Sequence, residues 1–194
     1  MRYYSTKGNA ISVGFKDALF HGLAPDGGLY MPDTIPHLGT DFFKSDLSYP
    51  ELATGMIHPF TKDELTHAQL TDICELAFDF PLRIKELNET DSVLELFHGP
   101  TFAFKDFAAR FMARTMSYFL ENKDDELTIL VATSGDTGSA VANGFFNVDG
   151  INVIILYPSN RVSAIQEKQL TTLGGNITAL EIDGSFDDCQ RMVK

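Results

Sequence analysis

The chain has 194 residues, 44% of them hydrophobic and 16 of them Phe, enough to bury a substantial core and to argue against disorder. Its formal net charge is -12 and its pI about 4.7. Lys and Arg are scattered with no basic run, which argues against nucleic acid or an anionic membrane as partner, because both need a positive face.

The opening MRYYSTKGNA has no apolar core of signal-peptide length, and no stretch approaches a membrane span, so a soluble cytoplasmic protein is expected. Two cysteines, Cys74 and Cys189, stand far apart outside any C-x-x-C pattern. That argues against a disulfide framework or a zinc site and for two buried structural thiols in a reducing compartment.

Residues 1 to about 90 are rich in Pro, Gly and polar punctuation, and read as a smaller mixed α+β domain. GLAPDGGLYMP predicts a tight turn around Pro25-Asp26-Gly27-Gly28, leading into a short extended segment. Residues 48–57 and 63–78 are predicted helical. In the second stretch Leu65, Leu70, Ile73, Leu76 and Ala77 recur at near-helical spacing on one apolar face.

From residue 91 the texture becomes an alternation. An apolar strand at 93–97 precedes a turn at Gly99-Pro100 and a helix at 106–120. LTILVA at 127–132 reads as a strand buried on both faces, followed by a helix at 139–146. Further strands are predicted at 151–157 and 176–182, with helices at 161–173 and 186–194. The order β-α-β-α-β-α-β-α predicts an α/β domain over residues 91–194: an open, mostly parallel sheet with flanking helices. Ligands in such sheets bind beyond the carboxyl ends of the strands. The last helical pattern runs to residue 194 without a terminating Gly, so the chain reads as the N-terminal part of a longer protein.

Four segments at or just past those strand ends hold the candidate residues. Lys105 lies in FHGPTFAFKDFAARF, where a cation at a helix start opposes the helix dipole and Phe102 and Phe104 add water-excluding bulk. Both effects lower an amine pKa, which is the condition for imine formation. The residues alone leave a second reading open, a surface lysine paired with Asp106. Thr133-Ser134-Gly135-Asp136-Thr137-Gly138 joins a strand to a helix with two glycines and several hydroxyls, suited to an anion at a helix start. A tight turn capped by Ser or Thr is the alternative there. The pattern is neither G-x-G-x-x-G nor a P-loop, so the usual nucleotide readings find no support. Arg161, Ser185 and Arg191 come from the next two strand ends and, taken alone, read as solvated surface. His98 is assigned no role, since no second His lies in a comparable loop.

YYSTKG, GLAPDGGLYMP, FHGPTFAFKDFA, TSGDTGSA, YPSNRVSAIQEKQLTT and GSFDDCQRMV together span nearly the whole chain. In these segments and their order the sequence resembles the threonine synthase family, in the longer form found in many bacteria and in fungi. The resemblance implies a fold of the tryptophan-synthase-β type, with pyridoxal 5'-phosphate between two α/β domains. It implies that Lys105 holds the cofactor as a Schiff base and then shuttles protons, with Phe104 beside the cofactor and Asp136 facing its ring hydroxyl. Ser134, Gly135 and Thr137 would hold the substrate carboxylate, and Thr137, Ser185 and Arg191 are candidates for the substrate phosphate. The implied reaction takes O-phospho-L-homoserine and water to L-threonine and phosphate, in a monomer or homodimer. The family's loop for the cofactor phosphate and its partner for the ring nitrogen lie past residue 194, so the isolated chain is expected to be inactive. Two rival readings stand beside this one: a serine/threonine dehydratase-like lyase, and a non-catalytic homologue that binds a phosphorylated metabolite.

Overall fold

The computed structural model describes residues 1–121 and 126–193. The chain separates into two compact units, Met1–Leu76 and Ala77–Lys194, so the division falls earlier than residue 90.

In the first unit, β1 (Tyr3–Ser5) pairs antiparallel with β2 (Tyr30–Pro32). Between them lie α1 (Phe15–His21) and the turn expected at Pro25–Gly28, closed by Gly27 N–H on the Ala24 carbonyl at 2.7 Å. Gly27 has φ 74°, a conformation that favours glycine. The Asp26 carboxylate ties this turn to β1, accepting the Ser5 hydroxyl at 2.6 Å and the N–H groups of Gly28 and Asn9 at 2.9 and 3.0 Å.

Two longer helices follow, α2 (Tyr49–Thr61) and α3 (His67–Ala77). Each opens on a reciprocal cap. The Glu51 carboxylate accepts the Ser48 N–H at 2.8 Å, and the Gln69 carboxamide accepts the Thr66 N–H at 2.9 Å. The second cap explains why α3 begins at His67 rather than at residue 63. Leu65, Leu70 and Ile73 are buried as the periodicity requires, whereas Leu76 is exposed.

Titration of this unit has a defined sign at both ends of the pH scale. Burial, followed by the charges of Glu64 and Asp33, pushes the Tyr3 hydroxyl up to about 12, and burial likewise pushes Tyr49 up to about 12. A raised folded pKa means stability that is fully present below the ordinary tyrosine value and lost as pH rises through about 12. Asp26, Glu51 and Asp63 are held below the usual carboxylate range, chiefly by side-chain hydrogen bonds from Ser5, Ser48 and the N-terminal ammonium. Their contribution is present above that range and lost as pH falls through it. Denaturant midpoints of the 194-residue chain should therefore be flat near neutrality, fall below roughly pH 4 and fall again above roughly pH 10. Tyr3→Phe should flatten the alkaline limb.

The second unit opens with a hairpin instead of the expected first parallel strand. β3 (Arg83–Glu86) and β4 (Ser92–Glu95) pair antiparallel, with Ile84 opposite Leu94 and Lys85 opposite Val93. A five-residue connection, in which Asn88 accepts the N–H groups of Thr90 and Asp91 at 2.9 Å, leaves no room for the crossover a parallel pairing needs. β3 escapes a sequence reading because RIKE is mostly charged and fully exposed.

Beyond the hairpin the α/β alternation is as expected. β5 (Leu127–Ala132), β6 (Ile151–Pro158) and β7 (Ile177–Ile182) form a parallel sheet with β6 in the centre. β6 is almost wholly buried. β5 is not, contrary to the expectation of a two-sided burial: it alternates, and Leu130 is 45% exposed. An edge position among the described strands accounts for this.

Around the sheet are α4 (Asp106–Leu120), α5 (Asp136–Phe145), α6 (Ala164–Thr171) and α7 (Phe186–Val193); Lys194, expected at the end of the last helix, lies outside the described residues. Phe145, Ile151, Val153, Ile155 and Leu170 are fully buried at the centre, each worth about 1.5–3 kcal/mol in removed apolar surface. α4 and α5 approach closely at Gly144, where an added Cβ would come within 3.1 Å of the Ala109 backbone.

Candidate active site

Lys105 is the N-cap residue of α4, half-buried, and its backbone is set by the residue that follows. Asp106 is 0% exposed. Its carboxylate accepts the Thr101 N–H at 2.9 Å and the Thr101 hydroxyl at 2.6 Å. Those bonds lash residues 99–101 onto the start of α4, and a Cβ at Gly99 would collide with the Asp106 side chain. Asp106 is thus committed to the loop, and Lys105 forms no ion pair among the described residues. The surface-pair reading of Lys105 with Asp106 does not describe this arrangement.

The Lys105 ammonium nitrogen lies 4.2 Å from the centroid of the Phe104 ring. The expectation that Phe102 and Phe104 wall the amine off from water fails for this chain, because they are 74% and 60% exposed. Phe102 adopts a left-handed backbone conformation, with φ 62°.

Across from Lys105, the loop after β5 is organised by Thr133 rather than by the hydroxyls on either side of Gly135. The buried Thr133 hydroxyl accepts the N–H groups of Gly135 and Gly138 at 3.1 and 2.9 Å and donates to the Gly135 carbonyl at 3.0 Å. This staple starts α5 at Asp136 instead of residue 139. A Cβ at Gly138 would overlap the Thr133 side chain. The other N–H groups of the first turn of α5 have no intrahelical acceptor. Ser134 and Asp136 are exposed at this turn, and Thr137 is half-buried.

These pieces enclose a cleft of about 340 Å³ at the carboxyl edge of the parallel sheet, lined by Phe104, Lys105, the loop from Ala132 to Thr137, Gln166 and Phe186. Lys105 also borders an apolar groove of about 560 Å³ formed with Leu96, Phe107, Ala108, Met112 and Val141. The amine therefore stands on the border between a polar and an apolar recess.

Of the residues singled out from the sequence, Lys105, Phe104, Ser134, Gly135, Asp136 and Thr137 line one cleft. Ser185 and Arg191 do not. Ser185 caps α7, its N–H and hydroxyl both donating to Asp188 at 2.6 Å, and Arg191 pairs with the same carboxylate. The Asp188 carboxyl is held below its usual range, first by the Ser185 hydroxyl. Arg161 is exposed and also lies outside the lining. Gln166 and Phe186 line the cleft without having been singled out. Gln166 carried one sequence signal, its place in the S-x-x-Q pattern with Ser163.

The residues fit an anionic, aldehyde-bearing aromatic cofactor: a primary amine, an adjacent ring, a helix start and a carboxylate able to meet a ring hydroxyl. A family profile described as pyridoxal-phosphate dependent enzyme matches residues 92–194. The chain belongs to that family. Members of the family take pyridoxal phosphate as cofactor, and this domain carries the Lys105 cleft. A second profile, described as threonine synthase N terminus, matches residues 2–78.

Similar proteins point the same way. A threonine synthase of Pseudomonas aeruginosa is 44% identical over 202 residues, covering 100% of this chain and 43% of the relative. The crystal structure of pyridoxal-phosphate-bound threonine synthase from Brucella melitensis superposes with a TM-score of 0.92 at 41% identity, over 100% of this chain and 43% of that one. Threonine synthase from Escherichia coli gives 0.88 at 39% identity, over 99% and 45%. The chain spans less than half the length of these relatives. Among the described residues, no helix is long and apolar enough to cross a membrane.

Proposed function

We propose that the chain is the N-terminal part of a threonine synthase that converts O-phospho-L-homoserine and water to L-threonine and phosphate in the cytoplasm. The observation that carries this reading is the pairing of a threonine synthase N-terminal segment with a pyridoxal-phosphate domain whose lysine faces a hydroxyl-rich helix start. When bound, pyridoxal phosphate supplies the electron sink. Lys105 would hold it and, as the only amine among the described residues of the cleft lining, would take the proton from Cα of the substrate. The same amine would next take a proton from Cβ as the Cγ–O bond to phosphate breaks, and would deliver protons to Cγ and back to Cα while the water oxygen bonds to Cβ and the remaining water proton goes to phosphate.

Ser134 and Thr137 hold the substrate carboxylate through their hydroxyls and the amides of the α5 start, and Gly135 allows the close backbone approach. Asp136 meets the cofactor's ring hydroxyl, and Phe104 packs beside the ring. Thr137, Ser185 and Arg191 are the candidates for the substrate phosphate. Arg191 supplies the guanidinium geometry for it, on condition that it exchanges Asp188 for the ligand. The remaining contacts to the cofactor belong to sequence equivalent to the rest of the relatives' length, so the 194 residues alone are expected to show no turnover.

The test is to supply the full-length protein, loaded with pyridoxal phosphate, with O-phospho-L-homoserine. Threonine and phosphate in equal amounts support the reading. Formation of 2-oxobutanoate from threonine, or of pyruvate from serine, with O-phospho-L-homoserine untouched, would replace it by a dehydratase-like lyase. Binding of the phosphorylated substrate without any turnover would replace it by a non-catalytic phosphometabolite-binding protein.

A further inference from the structure

Gln166 sits at a junction that neither the fold nor the reaction chemistry requires. Its carboxamide oxygen accepts the Ser163 N–H at 3.2 Å and the Ser163 hydroxyl at 3.0 Å, and the Gln166 N–H closes the box on Ser163 at 3.3 Å. An ordinary capping box ends there. Here the carboxamide nitrogen also donates to Asp136 Oδ1 at 2.6 Å, joining residues 30 apart in the first turns of α5 and α6. The orientation of the amide is dictated by its partners: Ser163 N–H can only donate and the Asp136 carboxylate can only accept, so oxygen and nitrogen cannot be exchanged. The close approach of Gln166 to the loop also explains the residue at 135. An added Cβ there would lie 2.7 Å from Gln166 Nε2 and 3.1 Å from its Cδ.

We infer that Gln166 is a positioning residue that holds the Asp136 carboxylate in place within the Lys105 cleft, so that helix α6 sets the geometry of the cofactor's ring environment. The inference rests on the proposed role of Asp136 toward the ring hydroxyl. One carboxamide proton is committed to Asp136, and the other remains available at the cleft wall that Gln166 lines. A glutamate at 166 could keep the Ser163 cap while setting a carboxylate against Asp136, which separates capping from positioning.

The test uses the full-length protein and its pyridoxal phosphate affinity and visible absorption spectrum, with thermal melting of the apo form as a control for folding. Gln166→Ala and Gln166→Glu are expected to weaken cofactor binding about tenfold, the value of one hydrogen bond to a charged group, and to move the visible absorption maximum. In an Asp136→Asn background the same Gln166→Ala change is expected to leave both readouts where Asp136→Asn alone puts them. Equal effects of Gln166→Ala in both backgrounds, or an unmoved spectrum in the single variants, overturn the inference while leaving the reading of the cleft intact. Wild-type protein that takes up no pyridoxal phosphate overturns the underlying reading and this inference with it. If Gln166→Ala melts far below wild type, Gln166→Glu decides, because it retains the cap; a normal spectrum in that variant also overturns the inference.

Discussion

Lys105→Arg in the full-length protein is expected to cut threonine formation by roughly a thousandfold or more, with melting unchanged. Arginine keeps the positive charge over the Phe104 ring, and the half-buried N-cap position of α4 makes no demand on the ammonium for folding. What arginine cannot supply is a neutral amine, because a guanidinium stays protonated throughout the working pH range. If Lys105 contributes only charge, the variant retains much of its activity. If it is the nucleophile and proton carrier, the activity is gone and the cofactor is held non-covalently. Comparison with Lys105→Ala sorts these cases: the two variants should be equally inactive, and alanine should also lose cofactor affinity.

Asp106→Ala is the substitution expected to cost most stability, about 2–3 kcal/mol, read from denaturant midpoints of the chain. The carboxylate is fully buried and accepts two bonds from Thr101, so its removal strands a backbone N–H and a hydroxyl inside the unit. It also removes an acid from the first turn of α4, where the helix dipole favours negative charge. Asp106→Asn keeps one acceptor and should lose about half as much. Because the same bonds hold residues 99–101 against the helix carrying Lys105, Asp106→Ala in the full-length protein should also lower threonine formation more than its loss of folded fraction accounts for.

Much of the second unit was legible in the sequence. Its three parallel strands alternate with helices at spacings that admit only crossovers, and the candidates in the loop after β5 line one cleft with Lys105, whereas Arg161, Ser185 and Arg191 stay outside it. The hairpin was only half legible: the strand expected at 93–97 overlaps β4, but its antiparallel partner β3 lies on the surface and RIKE buries too little to show a pattern. Helix starts were misplaced where a cap decided them. Ser163 with Gln166 and Thr66 with Gln69 carry the S/T-x-x-Q signature that would have set α6 and α3 correctly. Thr133 lay in plain view as part of a hydroxyl-rich loop, yet its role as the staple depends on burial. The bond from Gln166 to Asp136 spans 30 residues, and no local spacing announces it.

The exposure of Phe102 and Phe104 has a related origin. Their apolarity suggested a wall around the amine, but whether a ring is buried depends on tertiary packing, and these two remain 74% and 60% exposed. Together with the apolar groove along α4, these rings form a surface that the proposed longer protein would have to cover to keep water from the reaction.

The most direct test of the central claim is to incubate the full-length protein with pyridoxal phosphate, reduce it with borohydride and map its peptides by mass. The expected result is a phosphopyridoxyl group on the peptide bearing Lys105 and on no other lysine. A folded protein that carries the group elsewhere, or nowhere, would contradict the assignment of Lys105 and with it the reading of this cleft as the site of pyridoxal-phosphate chemistry.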